Sequence, residues 1–261
     1  MKSLSFDGLV ELYDETRSFD KGCFDSALDY ITGRFPPSEF ADLFEPGIGT
    51  GRIAIPLAER GYRITGVDVS DEMLAVLRAK LVEPLPMDLR TADVTDLPFP
   101  EEAFDLAIVV HLFYFIADWK KAADEILRVV RRNGAVILMH TGTGMEVPFL
   151  NNRYKELCRE SGCPIEPVGV GGTNEVIDHY AGAGNTAEMI RDRWQWTARI
   201  PLDKALRYLT SRAYSFTVVA PDGTHLSACE QLEAEVRQQF GDLQTEVEVP
   251  NQIYLVVVRR Q

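Results

Sequence analysis

Between Phe40 and Arg52 the chain reads FADLFEPGIGTGR, and no other stretch constrains its fold so tightly. A short apolar strand with an Asp inside it runs into the acidic residue Glu45. Gly47, Gly49 and Gly51 follow at alternate positions, and an amphipathic helical pattern begins. Glycine lacks the Cβ that would hold a ligand away from the backbone, and it tolerates φ > 0 in a tight turn. A glycine-rich strand-to-helix turn lets a nucleoside ligand approach main-chain N–H groups at a helix N-terminus. The dinucleotide fingerprint has two residues between its second and third glycines, which this spacing does not. Glu45 would repel a phosphate and attract an ammonium, so the turn points to a cationic amino-acid nucleoside.

The segments beyond it continue the pattern. Tyr62–Val67 reads as a second strand ending in Asp68, roughly 20 residues past the glycines, where a carboxylate can accept hydrogen bonds from ribose hydroxyls. Ser70 is a candidate N-cap for the helix that follows, with acidic residues in its first turn. Leu89–Thr91 leads to Asp93 at the end of a third strand, and Phe104–Val110 is a fourth strand, apolar after Asp105 as a buried parallel strand should be. A carboxylate after a strand is also what a turn former looks like, so Asp68 and Asp93 each carry that second reading. Asp105 precedes its strand and reads as structural.

Four linked pieces, EPGIGTGR, GVDVSDEML, ADVTDLPFPEEAFDLAIV and EILRVVRRNGAVIL, stand in order over residues 40–141. Together they resemble the class I S-adenosylmethionine-dependent methyltransferases of the ubiquinone and menaquinone biosynthesis group. The resemblance implies S-adenosylmethionine as cofactor, S-adenosylhomocysteine as product and no metal. Glu45, the glycines and Arg52 would line its methionine end. Asp68 would hold the ribose, with Val69 and Met73 nearby, and Asp93 with Val94 would sit beside the adenine. It implies a Rossmann-like α/β fold with a mostly parallel seven-stranded sheet, the last strand antiparallel, and a helical cap. Phe44-Glu45-Pro46 and Ile48 depart from the usual VLDLGCGTG, and Pro56 inside the next helix removes one hydrogen bond and should kink it.

Helical spacing of Phe6, Leu9, Val10 and Tyr13 marks residues 1–35 as a helical approach segment, and the resemblance implies that it closes over the cofactor. Its Tyr13-Asp14-Glu15-Thr16-Arg17 resembles a YDxxR element of the family. Residues 36–141 form the cofactor-binding core, 142–190 a helical cap insertion, and 191–261 the last strands with a second helical insertion. Asp118 should cap a helix from Trp119 to Arg132, ended by Asn133-Gly134. Leu202–Ala213 and Leu226–Phe240 read as helices. Arg191–Ile200 and Ile253–Val258 read as the closing strands, which the resemblance makes an antiparallel hairpin. Glycines 142–144 and 182–184 are candidate hinges for a cover.

A net charge of −13 argues against a nucleic-acid partner, because phosphate binding needs a basic face. The four cysteines have no metal-ligand or CxxC spacing. The N-terminus has no signal-peptide pattern, no stretch reaches the length of a membrane span, and a cytoplasmic enzyme is expected; a monomer and a homodimer both remain open. Methyl transfer from a sulfonium needs positioning and exclusion of water, and a general base only where the acceptor keeps its proton. Candidates for that role are His111, directly after the fourth strand and with a pKa suited to proton transfer, and then His140, although a lone His in such a place is more often a hydrogen-bonded structural residue. Tyr13, Arg17, Tyr114, His140 and Trp194 are candidates to contact the acceptor. No Pro-Cys dipeptide and no Asn-Pro-Pro-Tyr-like run occurs, which disfavours nucleic-acid base methylation. The leading reading is a methyltransferase for a small organic molecule. A methyltransferase for a protein or carrier-bound acyl group and a non-catalytic nucleoside-binding protein are the alternatives, with a NAD-linked oxidoreductase further off.

Overall fold

The structure, a computed structural model, describes residues 14–141 and 146–261; Phe6, Leu9, Val10, Tyr13 and the hinge expected at Gly142–Gly144 lie outside the described residues. The strands are β1 (Asp42–Pro46), β2 (Arg63–Asp68), β3 (Met87–Thr91), β4 (Phe104–Val110), β5 (Val130–Thr141), β6 (Thr186–Pro201) and β7 (Glu246–Arg259). They form one sheet in the order β3-β2-β1-β4-β5-β7-β6. The first five run parallel, and β7 is antiparallel to both β5 and β6. The order reverses beside β1, so the carboxyl ends of β1 and β4 diverge into a crevice, the place where such sheets bind ligands.

The helices are α1 (Lys21–Arg34), α2 (Ala54–Glu59), α3 (Asp71–Lys80), α4 (Trp119–Val129), α5 (Pro148–Glu160), α6 (Thr173–Gly182), α7 (Leu202–Thr210), α8 (Ser215–Val218) and α9 (Asp222–Phe240). Three buried clusters show how they are used. One sheet face packs Leu28 and Ile31 of α1, Leu57 of α2 and Leu74 and Leu77 of α3 against Leu43, Ile64 and Leu255. The other face takes Ile126 of α4 and Val176 and Tyr180 of α6. A third core joins Leu150, Tyr154 and Leu157 of α5 to Leu206 of α7, Leu232 of α9, and Ile200 and Val249 of the last two strands.

These clusters redraw the expected cover. Helix α1 belongs to the sheet face, α6 covers the opposite face, and the cap is built from α5 together with α7–α9. Alternation along the sequence marks an apolar face without saying what covers it. The cap is carried by a two-stranded ribbon. Thr141 pairs with Ile253, and from Trp194↔Ile253 β6 and β7 pair with each other as far as Pro201↔Glu246, with no further partner from β5 among the described residues. The ribbon therefore projects past the carboxyl edge of the parallel strands. It leaves the sheet at a bulge where four steps on β6, Ile190 to Trp194, face two on β7, Leu255 to Ile253. Asp192 sits there at φ 63°.

Three local expectations are corrected. Asn133-Gly134 does not end a helix: α4 stops at Val129, and the pair lies in a bulge inside β5, where Phe104↔Val130 gives way to Leu106↔Ala135. Asp118 occupies the N-cap position of α4 but makes no side-chain cap bond, because its backbone, φ −96° and ψ 53°, is not extended. Pro56 falls in the first turn of α2, with Ile55 N–H donating to Gly51 O at 3.0 Å and Leu57 N–H to Ile53 O at 3.2 Å on either side, so it omits one bond and the helix runs through it. Asp105 stands at the amino end of β4, away from the ligand edge, accepting from Asp42 N–H at 2.9 Å and Arg131 Nε at 2.5 Å.

The β5 bulge has a testable demand. A Cβ on Gly134 would press on the backbone carbonyls of Asp105 and Arg131, the latter at 2.7 Å, whereas one on Gly162 meets open space at φ 77°. Gly134→Ala should cost about 2 kcal/mol or more through forced backbone movement, and Gly162→Ala only about 1 kcal/mol of conformational strain. Urea unfolding of both variants checks this; equal losses would mean that the bulge relaxes freely.

Candidate functional site

The glycine turn is shaped by the strand beside it. Ile48 N–H donates to Val67 O at 3.0 Å, and Gly49 N–H donates to Asp68 Oδ2 at 2.9 Å. Gly47, Gly49 and Gly51 have φ of 65°, 55° and 78°, a region that side-chain-bearing residues rarely adopt. Asp68 Oδ1 accepts from Ser70 N–H at 2.9 Å, and Ser70 Oγ caps α3 by accepting from Met73 N–H at 3.1 Å. One carboxylate thus joins the turn after β1 to the helix after β2. Beside it Val69 is 52% exposed, an apolar face left open at the crevice.

Glu45 lies at the base of the turn and is 3% exposed, and its Oε2 is buried without a hydrogen-bond partner. Burial holds its carboxyl well above the usual carboxylate range; Arg52 opposes that shift and the Asp68 carboxylate adds to it. A buried acceptor left unpaired is costly, so the site favours a group that brings a donor or a positive charge.

Residues 14–17 form a strap across this turn. Asp14 accepts from Thr50 Oγ1 at 2.5 Å and is bonded by Lys80 Nζ, which also donates to Thr50 O at 3.0 Å. Arg52 donates to Arg17 O and lays its guanidinium 4.4 Å above the Phe19 ring. Glu15 pairs with Lys204 and Arg207 of α7, each at 3.1 Å, and Arg17 donates to Ala213 O at 3.4 Å. Arg52, expected at the methionine end, is thus committed in part to holding the strap. Asp14 is the residue that sequence reasoning passed over, although it sits in the YDxxR element.

At the ends of β4 and β5 the two histidines meet. Their rings are 6.0 Å apart in an edge-on arrangement, with Tyr114 6.4 Å from His111 and 6.5 Å from His140. His111 has φ 51°, an unusual conformation of the kind found at functional sites. Thr141 donates its N–H to His111 Nε2 at 3.3 Å, and its Oγ1 is 2.6 Å from the same atom. A backbone N–H can only donate, so Nε2 accepts and the proton of the neutral ring is on Nδ1. Burial, then His140, Arg17 and Arg52, push the His111 pKa down to about 3. Burial and Arg191 push His140 to about 4. The expectation of an imidazole tuned for proton transfer near neutrality is therefore corrected: both rings stay neutral, and Nε2 of His111 is engaged. His140 stacks on Tyr254 at 4.7 Å and faces Thr173 Oγ1 at 3.4 Å. That hydroxyl also lies 3.1 Å from Tyr254 Oη and 3.4 Å from Tyr114 Oη. Thr173 opens α6, and no local sequence signal marks it.

The other candidates separate. Asp93 closes a turn, accepting from Thr95 N–H at 2.8 Å and Thr95 Oγ1 at 2.9 Å. The side chains of Val94 and Met73 are buried, which leaves only their backbones for a ligand. Trp194, expected to wall a substrate pocket, is instead 4% exposed in the sheet core, its indole N–H donating to Ser26 Oγ at 3.0 Å and its ring edge-on to Tyr30. Tyr13 lies outside the described residues. Between the segment 165–171 and α8 lies a cavity of about 340 Å³, walled by Tyr114, Val170, Lys155 and Phe216 among others. Gly169 N–H and Val170 N–H fasten that segment to the carbonyls of Tyr114 and Phe113, each at 3.1 Å. Among the described residues no cluster of His, Cys, Asp or Glu could hold a metal ion, and no helix is long and apolar enough to cross a membrane.

Over residues 44–138 the sequence matches the family described as Methyltransferase domain. A phosphatidylethanolamine N-methyltransferase from Cereibacter sphaeroides is 34% identical over 102 residues, 38% of this chain and 49% of that protein. A demethylmenaquinone methyltransferase from Clavibacter sepedonicus is 28% identical over 153 residues, 58% of this chain and 62% of that protein. The match spans less than two thirds of the length of either relative. A Haemonchus contortus phospholethanolamine N-methyltransferase 2, solved with phosphomonomethylethanolamine and S-adenosylhomocysteine, shares the fold with a TM-score of 0.51 at 17% identity, over 90% of this chain and 53% of that one.

The lowered pKa of His111 sets a direction for stability against pH. An unfolded His takes up a proton as pH falls through about 6.5, and the folded ring does not do so until about 3. The unfolded state therefore binds more protons across that window, and stability falls as pH falls. From pH 7 to pH 5 the wild type should lose about 2 kcal/mol more than His111→Gln. Urea midpoints at the two pH values measure the difference; parallel losses would mean that His111 is not held neutral.

Proposed function

The chain belongs to the class I S-adenosylmethionine-dependent methyltransferases, in the group of the ubiquinone and menaquinone biosynthesis enzymes, and from that premise we propose that it methylates a small organic acceptor. The observation that carries the cofactor assignment is the unpartnered, buried Oε2 of Glu45 beside the glycine turn. It fits the ammonium of the cofactor's methionine end, and the turn's main chain can be approached closely. Asp68, which receives Gly49 N–H and Ser70 N–H, is the carboxylate at the crevice that would accept the ribose hydroxyls. Val69 offers the exposed apolar face for the adenine, with Asp93 and the Val94 backbone at its rim.

Bound there, S-adenosylmethionine supplies a methyl group on a cationic sulfur whose leaving group is already activated. The protein's part is to orient the acceptor and keep water out. The cavity of about 340 Å³ is of the size that takes a small organic molecule, and Tyr114 links it to the His111–His140 cluster. His111 acts in this reading as a fixed neutral group that shapes the edge, and an acceptor that ionises readily, or that needs no base, suits it best.

Release of S-adenosylhomocysteine in the presence of a metabolite panel tests the transfer; tight cofactor binding with no turnover on any small acceptor would overturn it. A second test separates the two carboxylates. Asp68→Ala should weaken both S-adenosylhomocysteine and adenosine by about 1.5–3 kcal/mol, the scale of a hydrogen bond to a charged group. Glu45→Gln should weaken S-adenosylhomocysteine by a similar amount and leave adenosine unchanged, because adenosine has no ammonium. Titration calorimetry of folded variants decides; an equal loss for both ligands in Glu45→Gln would remove its assigned role.

A further inference from the structure

A second orphaned acceptor lies on the cap side. Asn151, one turn into α5, is 5% exposed, and its Nδ2 donates to Glu146 Oε2 at 2.9 Å while its Oδ1 is buried without a hydrogen-bond partner. With Glu146 ionised, as its two neighbouring cations favour, turning the amide over would set Oδ1 against a carboxylate oxygen and leave two donors unpaired, so the carboxylate selects this orientation. A buried carbonyl oxygen in that state calls for a donor from outside the chain.

Asn151 is linked to the proposed acceptor cavity through Lys155, one turn further along α5. Lys155 walls the cavity and lies within electrostatic reach of Glu146, as does Arg17, which also reaches His111. Phe216 walls the cavity too and stacks on Tyr214 at 5.5 Å, and Tyr214 in turn feels the Glu146 carboxylate. Two cations already face one carboxylate, so a ligand ammonium would add a third positive charge.

We infer that Asn151, held by Glu146, recognises a neutral O–H or N–H donor on the methyl acceptor. This rests on the methyltransferase reading. It names Asn151 as a specificity residue whose oxygen receives the donor and Glu146 as the positioning residue that sets the amide.

Protein labelled with 15N-asparagine and saturated with S-adenosylhomocysteine provides the test. Phenol, acetanilide, benzylamine and anisole are titrated while the Asn151 side-chain amide is followed by NMR. Phenol or acetanilide should shift that resonance, with anisole and benzylamine at least tenfold weaker, and Asn151→Leu should reduce phenol binding at least tenfold. Failure of S-adenosylhomocysteine itself to bind overturns the methyltransferase reading. With S-adenosylhomocysteine bound, anisole matching phenol, benzylamine binding best, or no response to any of the four overturns the inference alone. The comparison of phenol with anisole is made on the wild type, so it stands even if Asn151→Leu does not fold.

Discussion

The carboxylate of Asp68 is the interaction on which the site's geometry depends. Its two oxygens receive Gly49 N–H from the turn after β1 and Ser70 N–H from the start of α3, both at 2.9 Å. Three glycines at alternate positions, all at positive φ, would otherwise leave the turn with many accessible conformations. Charged acceptors make stronger hydrogen bonds than neutral ones, so a single Asp can hold this turn in place. The same bond ties a proposed ligand contact to the loop that must approach the ligand. A loss at Asp68 is therefore felt twice, as a missing acceptor and as a loosened turn.

The cap reaches the site by a different device. Parallel strands end together, and nothing in a doubly wound sheet covers their carboxyl ends. Here β6 and β7 run on past Thr141 as a ribbon, and α5, α7 and α9 pack on its projecting part around Ile200 and Val249. The bulge at Arg191–Arg193 lies where the ribbon leaves the sheet, and Arg191 lays its guanidinium 5.0 Å above Tyr254, the residue on which His140 stacks. Bulges bend and twist a strand locally, so this one aims the cap as well as closing the aromatic wall behind His140.

The sequence disclosed the parts whose signals are local. The glycines, Glu45, Asp68 and the alternation of strands and helices follow from backbone demands written into neighbouring residues, and the observed strand order agrees with the doubly wound sheet they imply. What it hid depends on partners far along the chain. Helices α1 and α6 carry the same apolar spacing as any amphipathic helix, and only tertiary contact assigns them to the two sheet faces. Trp194 alternates with polar neighbours whether it faces a ligand or a helix, and it faces α1. His111 is marked by its place after β4, but its neutrality comes from burial and then from His140, Arg17 and Arg52, and its Nε2 is engaged by Thr141, thirty positions away. Thr173, Glu146 and Asn151 carry no local signal at all.

The charges around the edge have a common logic. Glu45 and Glu146 are both held above the usual carboxylate range, chiefly by burial, and Arg52 opposes the shift at the first as Arg17 does at the second. Both arginines also act on His111, disfavouring its protonation. Arg17 belongs to the strap, and Arg52 donates to the strap's carbonyl. The strap therefore contributes to the electrostatics of the crevice as well as crossing it. Were residues 14–17 to move away, Glu146 would lose one compensating cation and His111 one of the charges that keep it neutral. A site that methylates from a cationic donor gains from neutral imidazoles, because a protonated ring beside the sulfonium would raise the energy of the loaded state. Strap, buried carboxylates and low-pKa histidines are thus one electrostatic arrangement rather than three separate features.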